Sequence, residues 1–177
     1  MWINNYNKNN NTIELSEIHK ANDIVKDVIN KTPLFKLNNI SNLIGKSVYY
    51  KDESKQVTSS FKGRGVYYCV FNKLKDIKRN NVYIVTQSTG NHGIATLHSL
   101  WYLMKKTKNK HIKTVIPIIF ASKNIQKIKL NKMKFYLTEI RKLVNDENYG
   151  DIRCNNESYE EALSKRVEFV NKNDAIY

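Results

Sequence analysis

The sequence predicts an α/β fold: an open parallel sheet with helices flanking it. Three observations carry that expectation. Short runs of β-branched and aromatic residues alternate with longer stretches whose apolar residues recur at helical spacing. One such run, Val82-Tyr83-Ile84-Val85-Thr86, ends directly in a polar turn with two glycines, Ser88–Gly93, that opens a helix-like segment. The chain has 177 residues with 41% hydrophobic and 11% aromatic content, a globular composition long enough to bury a core.

Taken in order, residues 1–12 are Asn-rich, lack a consistent period and read as a disordered tail. Glu14–Asn30 places Leu15, Ile18, Ala21, Val25, Val28 and Ile29 near one helical face. Thr32-Pro33 breaks that helix, because a residue before proline avoids the α region. Ser47–Lys51 reads as a short strand and Asp52–Ser60 as a polar loop leading into the segment around Lys62. Val66–Leu74 then continues as a buried helix. Strand Val82–Thr86, the Ser88–Gly93 turn and a helix over Ile94–Met104 follow. Thr114–Phe120 is a third strand and Asn124–Met133 a lysine-rich helix. Phe135–Gly150 either extends that helix or forms an inserted loop. Asn155–Asn171 is a further helix, acidic at its start with Lys165-Arg166 later, the order the helix dipole favours. Asp174–Tyr177 opens another strand. No internal repeat is visible.

The net charge of +14 raises the question of nucleic acid. The densest run, Lys105–Lys113, falls between a helix and a strand and reads as a solvated loop. RNP-type aromatics, zinc-finger spacing and a heptad-linked basic region are all missing, so nucleic-acid binding is not expected. Cys69 and Cys154 lie far apart and read as reduced, partly buried thiols. His19, His92, His98 and His111 have no metal spacing, so no zinc site is expected. The N-terminal residues resemble neither a secretory signal nor a transit peptide, and the longest apolar stretch, Val115–Ala121, is too short to cross a membrane. A cytoplasmic protein without membrane contact is the expectation.

Chemistry concentrates in two segments, Ser59-Ser60-Phe61-Lys62-Gly63-Arg64-Gly65 and Gln87-Ser88-Thr89-Gly90-Asn91-His92-Gly93. Ligands of open parallel sheets sit beyond the carboxyl ends of the strands, where loops lead into helices. There, Gly90 and Gly93 let backbone approach a ligand, and amides opening the next helix favour negative charge. The Ser88 and Thr89 hydroxyls, the Asn91 amide and the His92 ring form a donor set for a carboxylate and a phenolate oxygen. A simpler reading makes Ser88 or Asn91 an N-cap. Lys62 likewise has two readings: a surface lysine or phosphate contact, or an imine-forming lysine that must be desolvated. In the second, the Phe61 ring beside it helps exclude water. Gly-Arg-Gly lacks Walker spacing.

Thr32-Pro33-Leu34, Val48-Tyr49-Tyr50-Lys51-Asp52-Glu53, Ser60–Gly65 and Ser88–Gly93 follow one another at suitable separations. This order resembles the serine racemase and serine/threonine dehydratase group of the fold type II, tryptophan synthase β-like pyridoxal phosphate enzymes. The resemblance runs from about His19 to Tyr177, with Phe135–Gly150 resembling an insertion. It implies Lys62 as the Schiff-base lysine, Phe61, Lys62 and Asn91 as cofactor contacts, and Ser88, Thr89, Asn91 and His92 as the loop gripping the substrate carboxylate. Lys62 and Thr89 are the implied catalytic groups. It further implies pyridoxal 5'-phosphate as cofactor, serine or threonine as substrate, and a homodimer at full length. No metal is implied at these residues.

Two departures stand out. Racemases of the group carry serine where Thr89 stands, so dehydration is expected over racemisation. The usual glycine before Ser-Phe-Lys is Ser59, which stiffens the approach to the lysine. Family members are also about twice as long. The chain is therefore expected to be a fragment or truncated copy: residues 13–79 as the N-terminal part of a large domain, and residues 80–177 as a nearly complete small α/β domain. The glycine-rich loop that cradles the cofactor phosphate is expected elsewhere, since only six glycines occur, none in a run. A catalytically silent remnant is the alternative.

Overall fold

A computed structural model describes residues 13–173 and 175–176, so the expected tail lies outside the described residues, as do Asp174 and Tyr177. Four parallel strands form the main sheet in the order β5-β4-β3-β6: β3 is Tyr83–Gln87, β4 Ile116–Ser122, β5 Asp151–Asn156 and β6 Ala175–Ile176. Central strands covered on both faces should be apolar throughout. β4 is, with Pro117 to Ala121 all buried. Alternate residues point to opposite faces. Ile84 and Ile119 join the core beneath α3 (Lys62–Leu74), α4 (Asn91–Lys106) and α5 (Lys127–Val144), while Val85, Ile118 and Phe120 pack with Ala162 and Phe169 of α6 (Tyr159–Lys172). The sheet thus carries three helices on one face and one on the other.

The N-terminal residues form α1 (Leu15–Val25), an antiparallel pair of β1 (Leu34–Lys36) and β2 (Tyr49–Lys51), and α2 (Asn38–Ile44) between those strands. α1 stops at Val25 rather than Asn30. The Gln56 side chain takes over the Asn30 backbone, its Oε1 accepting from the Asn30 N–H at 3.0 Å and its Nε2 donating to the Asn30 carbonyl at 2.8 Å. β1 and α2 had no periodic signal, because β1 is exposed throughout and α2 buries only Ser41.

Helix boundaries carry the other corrections. α3 begins at Lys62 itself and α4 at Asn91, each several residues before its apolar run. Lys105 and Lys106 close α4, stacked on Trp101 and Tyr102, instead of starting a loop. Thr114 belongs to a short 3-10 turn before β4. The ambiguous Phe135–Gly150 segment continues α5 to Val144 and stops at Asn145, whose φ of 56° is left-handed. Arg141 fixes the return by donating to the Tyr149 and Gly150 carbonyls at 3.0 and 3.1 Å. Asn155 and Asn156 end strand β5 instead of opening a helix. α6 starts later, at Tyr159, with the Ser158 hydroxyl accepting from the Glu161 amide. β5 escaped notice because Asp-Ile-Arg-Cys-Asn-Asn has neither alternation nor an apolar run.

Candidate active site

β3 ends at Gln87, where its chain turns through Ser88–Gly90 into α4. The turn is built around one hydroxyl. Buried Ser88 Oγ accepts from the Gly90 N–H at 2.9 Å and the Gly93 N–H at 2.8 Å, capping the helix start. With both lone pairs used, Ser88 can only donate outward. Gly90 sits at φ 140°, with the Lys129 side chain so close that a Cβ would lie 2.9 Å from Lys129 Cβ. A Cβ on Gly93 would meet Met133 Sδ at 2.6 Å and Ile119 at 3.1 Å. Both glycines therefore let α5 close on the turn.

The second segment comes to the same place from α3. Asp52 caps the short turn Glu53–Lys55, its carboxylate accepting from the Ser54 amide and hydroxyl. Glu53 then receives Arg64 as a fork, Nε at 2.9 Å and Nη2 at 2.7 Å, and the Thr32 hydroxyl at 2.6 Å. Those bonds, Arg64 first, hold the Glu53 carboxyl down at about 2. One ion pair thus ties residues 32, 53 and 64 together two positions from Lys62. Ser59, on the approach, stands at φ 57°, a left-handed conformation that glycine adopts freely. Its hydroxyl accepts from Lys132 Nζ at 2.8 Å.

Between these elements lies a cleft of about 610 Å³. Lys62, Ser88, Thr89, Asn91 and His92 all line it, so five of the six predicted site residues come together. Phe61 does not. It is 62% exposed, and its ring contacts the Lys62 ammonium at 5.1 Å from outside the cleft. The expectation that Phe61 shields Lys62 from water is therefore corrected. Neither Ser88 nor Asn91 is the N-cap, which is Gly90; Ser88 bonds the helix-start amides from two positions earlier and also walls the cleft. Burial, with the Lys62 charge adding, lowers the His92 pKa and favours its neutral ring.

Sequence reasoning missed seven of the twelve lining residues. Cys69 and Lys73 follow Lys62 by seven and eleven residues on one face of α3, a spacing that was readable. Thr86 and Gln87 come from the end of β3. Lys129 from α5 and Tyr159 and Arg166 from α6 carried no local signal, because only the sheet brings those helices to the strand end. Among the described residues no Asp or Glu lines the cleft, and no His, Cys, Asp and Glu cluster fits a metal ion. No described helix is long and apolar enough to cross a membrane.

The family model described as pyridoxal-phosphate dependent enzyme matches residues 25–177. Serine racemase of Dictyostelium discoideum is 38% identical over 84 residues, covering 48% of this chain and 25% of that protein. Biosynthetic L-threonine dehydratase of Lactococcus lactis is 28% identical over 162 residues, covering 92% of this chain and 34% of that one. Among solved structures, maize serine racemase superposes with a TM-score of 0.67 at 20% identity, covering 92% of this chain and 42% of the other. The chain thus spans less than half the length of these relatives, and its fold is that of the fold type II enzymes.

Proposed function

The chain belongs to the pyridoxal-phosphate dependent enzyme family, and from that premise we propose that its cleft is part of a dehydratase site for β-hydroxy amino acids such as serine and threonine. The observation that carries this reading is the convergence of Lys62 with Ser88, Thr89, Asn91 and His92 in one cleft. Whether these residues fit the cofactor is a matter of donor chemistry. The cleft offers an amine, hydroxyl and amide donors and further cations, with no carboxylate among the described residues, a set suited to an aldehyde carrying anionic groups. No glycine run occurs in the sequence, so the phosphate-cradling loop implied by the resemblance is not among these residues.

In this reading Lys62 and Asn91 would hold the cofactor, the lysine through its amine and the asparagine through its amide, and the Lys62 amine would also take the substrate's α-proton. Pyridoxal phosphate, when bound, supplies an electron sink for charge developing at the α-carbon. The Ser88 hydroxyl, left with only its proton, donates to the substrate carboxylate beside Thr89, Asn91 and His92. Neutral His92 orients that carboxylate without adding charge. Thr89, exposed at the cleft wall, carries a methyl where a proton-donating serine would serve racemisation, so we favour loss of water and release of a 2-oxo acid and ammonia. The same proposal includes a homodimer, a cytoplasmic setting and a division near residue 79 between a larger and a smaller domain, although α3 shares its core with α4.

The test is borohydride reduction of the 177-residue chain with pyridoxal phosphate, followed by peptide mass mapping. A pyridoxyl adduct confined to Lys62 and absent from Lys62→Ala is the expected result. Adducts scattered over surface lysines would overturn the assignment and leave the motif without a working pocket.

A further inference from the structure

Dehydration moves two protons, and Lys62 accounts for one. Its amine takes the α-proton, but a hydroxyl leaves poorly unless an acid protonates it. Other hydroxyls of the cleft are committed. Ser88 and Thr89 face the carboxylate in the reading above, and Thr86 Oγ1 donates to the Gln87 carbonyl at 3.3 Å. Tyr159 also lines the cleft. It stands at the first position of α6, where the Ser158 hydroxyl caps the helix by accepting from the Glu161 amide.

The direction of one hydrogen bond decides what Tyr159 can do. A guanidinium only donates. Arg166 Nη1 lies 3.0 Å from Gln87 Oε1, so the Gln87 carboxamide turns its oxygen to Arg166 and its nitrogen the other way. That nitrogen donates to the Tyr159 hydroxyl oxygen at 3.0 Å. The phenol oxygen is therefore an acceptor on the Gln87 side, and its proton has no acceptor among the described residues. The same amide N–H stabilises the oxygen once its proton has gone. α6 packs on the sheet face opposite to α3, so Tyr159 and Lys62 meet a substrate from separate walls of the cleft.

We propose that Tyr159 is a catalytic acid of the dehydration, giving its hydroxyl proton to the substrate's leaving β-hydroxyl, and that Gln87, held by Arg166, is the positioning residue that aims it. This rests on the reading of the cleft as a dehydratase site. The Lys62 amine removes the α-proton, and the C–H electron pair becomes the second bond between Cα and Cβ. The Cβ–O bond breaks toward oxygen, which takes the Tyr159 proton and departs as water. The phenolate accepts from Gln87 Nε2 until the proton held on Lys62 returns to it through solvent.

Leaving groups separate this role from a structural one, because chloride departs without a proton. The 177-residue chain is loaded with pyridoxal phosphate, and 2-oxo acid release from L-serine and β-chloro-L-alanine is measured. Tyr159→Phe slows the serine reaction about a hundredfold or more and the β-chloroalanine reaction less than about threefold. Gln87→Glu offers the phenol proton a carboxylate, turns it away from the substrate and gives the same split with the ring in place. It decides the matter if Tyr159→Phe melts early. A second readout needs no cofactor. By isothermal titration the cofactor-free chain binds L-serine about three- to tenfold more tightly than L-alanine, and Tyr159→Phe removes the difference. Equal slowing of both reactions, an unchanged serine rate, or serine and alanine bound alike by the wild type overturns the proposal. Serine turnover by the wild type without the split removes the Tyr159 role alone. No serine turnover by the wild type removes the dehydratase reading and this proposal with it.

Discussion

Replacing Glu53 by Gln tests how the start of α3, and with it Lys62, is held. The carboxylate accepts two bonds from Arg64 and one from Thr32, which lower its pKa from 4.5 to about 2. At about 1.4 kcal/mol per pH unit, that fall corresponds to about 3 kcal/mol. Arg64 is 35% exposed and Glu53 18%, so solvent screening brings the expected loss in Glu53→Gln to about 1–2 kcal/mol at pH 7. Because the folded pKa is depressed, the stabilisation is fully present above 4.5 and disappears as pH falls through about 2. Urea unfolding followed by far-UV circular dichroism reads both quantities. The difference between wild type and Glu53→Gln should shrink by more than half between pH 5 and pH 3. A cycle with Arg64→Met should return most of the difference as coupling energy. A difference under about 0.3 kcal/mol at pH 7, or one that does not change with acid, would refute the reasoning, because neither fits a carboxylate held in its charged form.

Three other predictions use the same assay or a thermal melt. His98 is 5% exposed with Nδ1 unpartnered, and burial, with the Lys132 charge adding, pushes its pKa down to about 4. Its neutral ring stabilises the fold fully above 6.5 and loses that advantage as pH falls toward 4, so His98→Phe should reduce the destabilisation between pH 7 and pH 4.5 by about 2 kcal/mol. An unchanged pH profile would exclude His98 as its source. Gly93→Ala forces a Cβ to within 2.6 Å of Met133 Sδ, and should cost about 1–3 kcal/mol as α4 and α5 separate; a wild-type melt would mean the helices pack loosely there. Ser59→Gly relieves the left-handed φ of 57° but loses the Lys132 hydrogen bond, for a net gain of about 0.5 kcal/mol. A loss above about 1 kcal/mol would assign that hydrogen bond the larger role.

The sequence by itself determined the α/β alternation and the strand ends where a ligand belongs. β3 and β4 are apolar runs bounded by polar turns, a pattern that burial on both faces requires. It also singled out Lys62 and the Ser88–Gly93 turn, through four motifs in order, since each segment alone also admits a surface-lysine or N-cap reading. Local pattern was silent on α2 and β5, whose residues have no periodic apolar face, and it mistook Asn155 and Asn156 for helix when strand pairing holds them. Ser59 was legible as a departure, but only the backbone showed that it occupies a left-handed position. The rest of the site depended on tertiary structure. Lys129 reaches Gly90, and Arg166 reaches Gln87, from helices packed on opposite faces of the sheet, across 39 and 79 positions of chain. No window of sequence contains such contacts, because strand order and helix packing decide which distant side chains share a cleft.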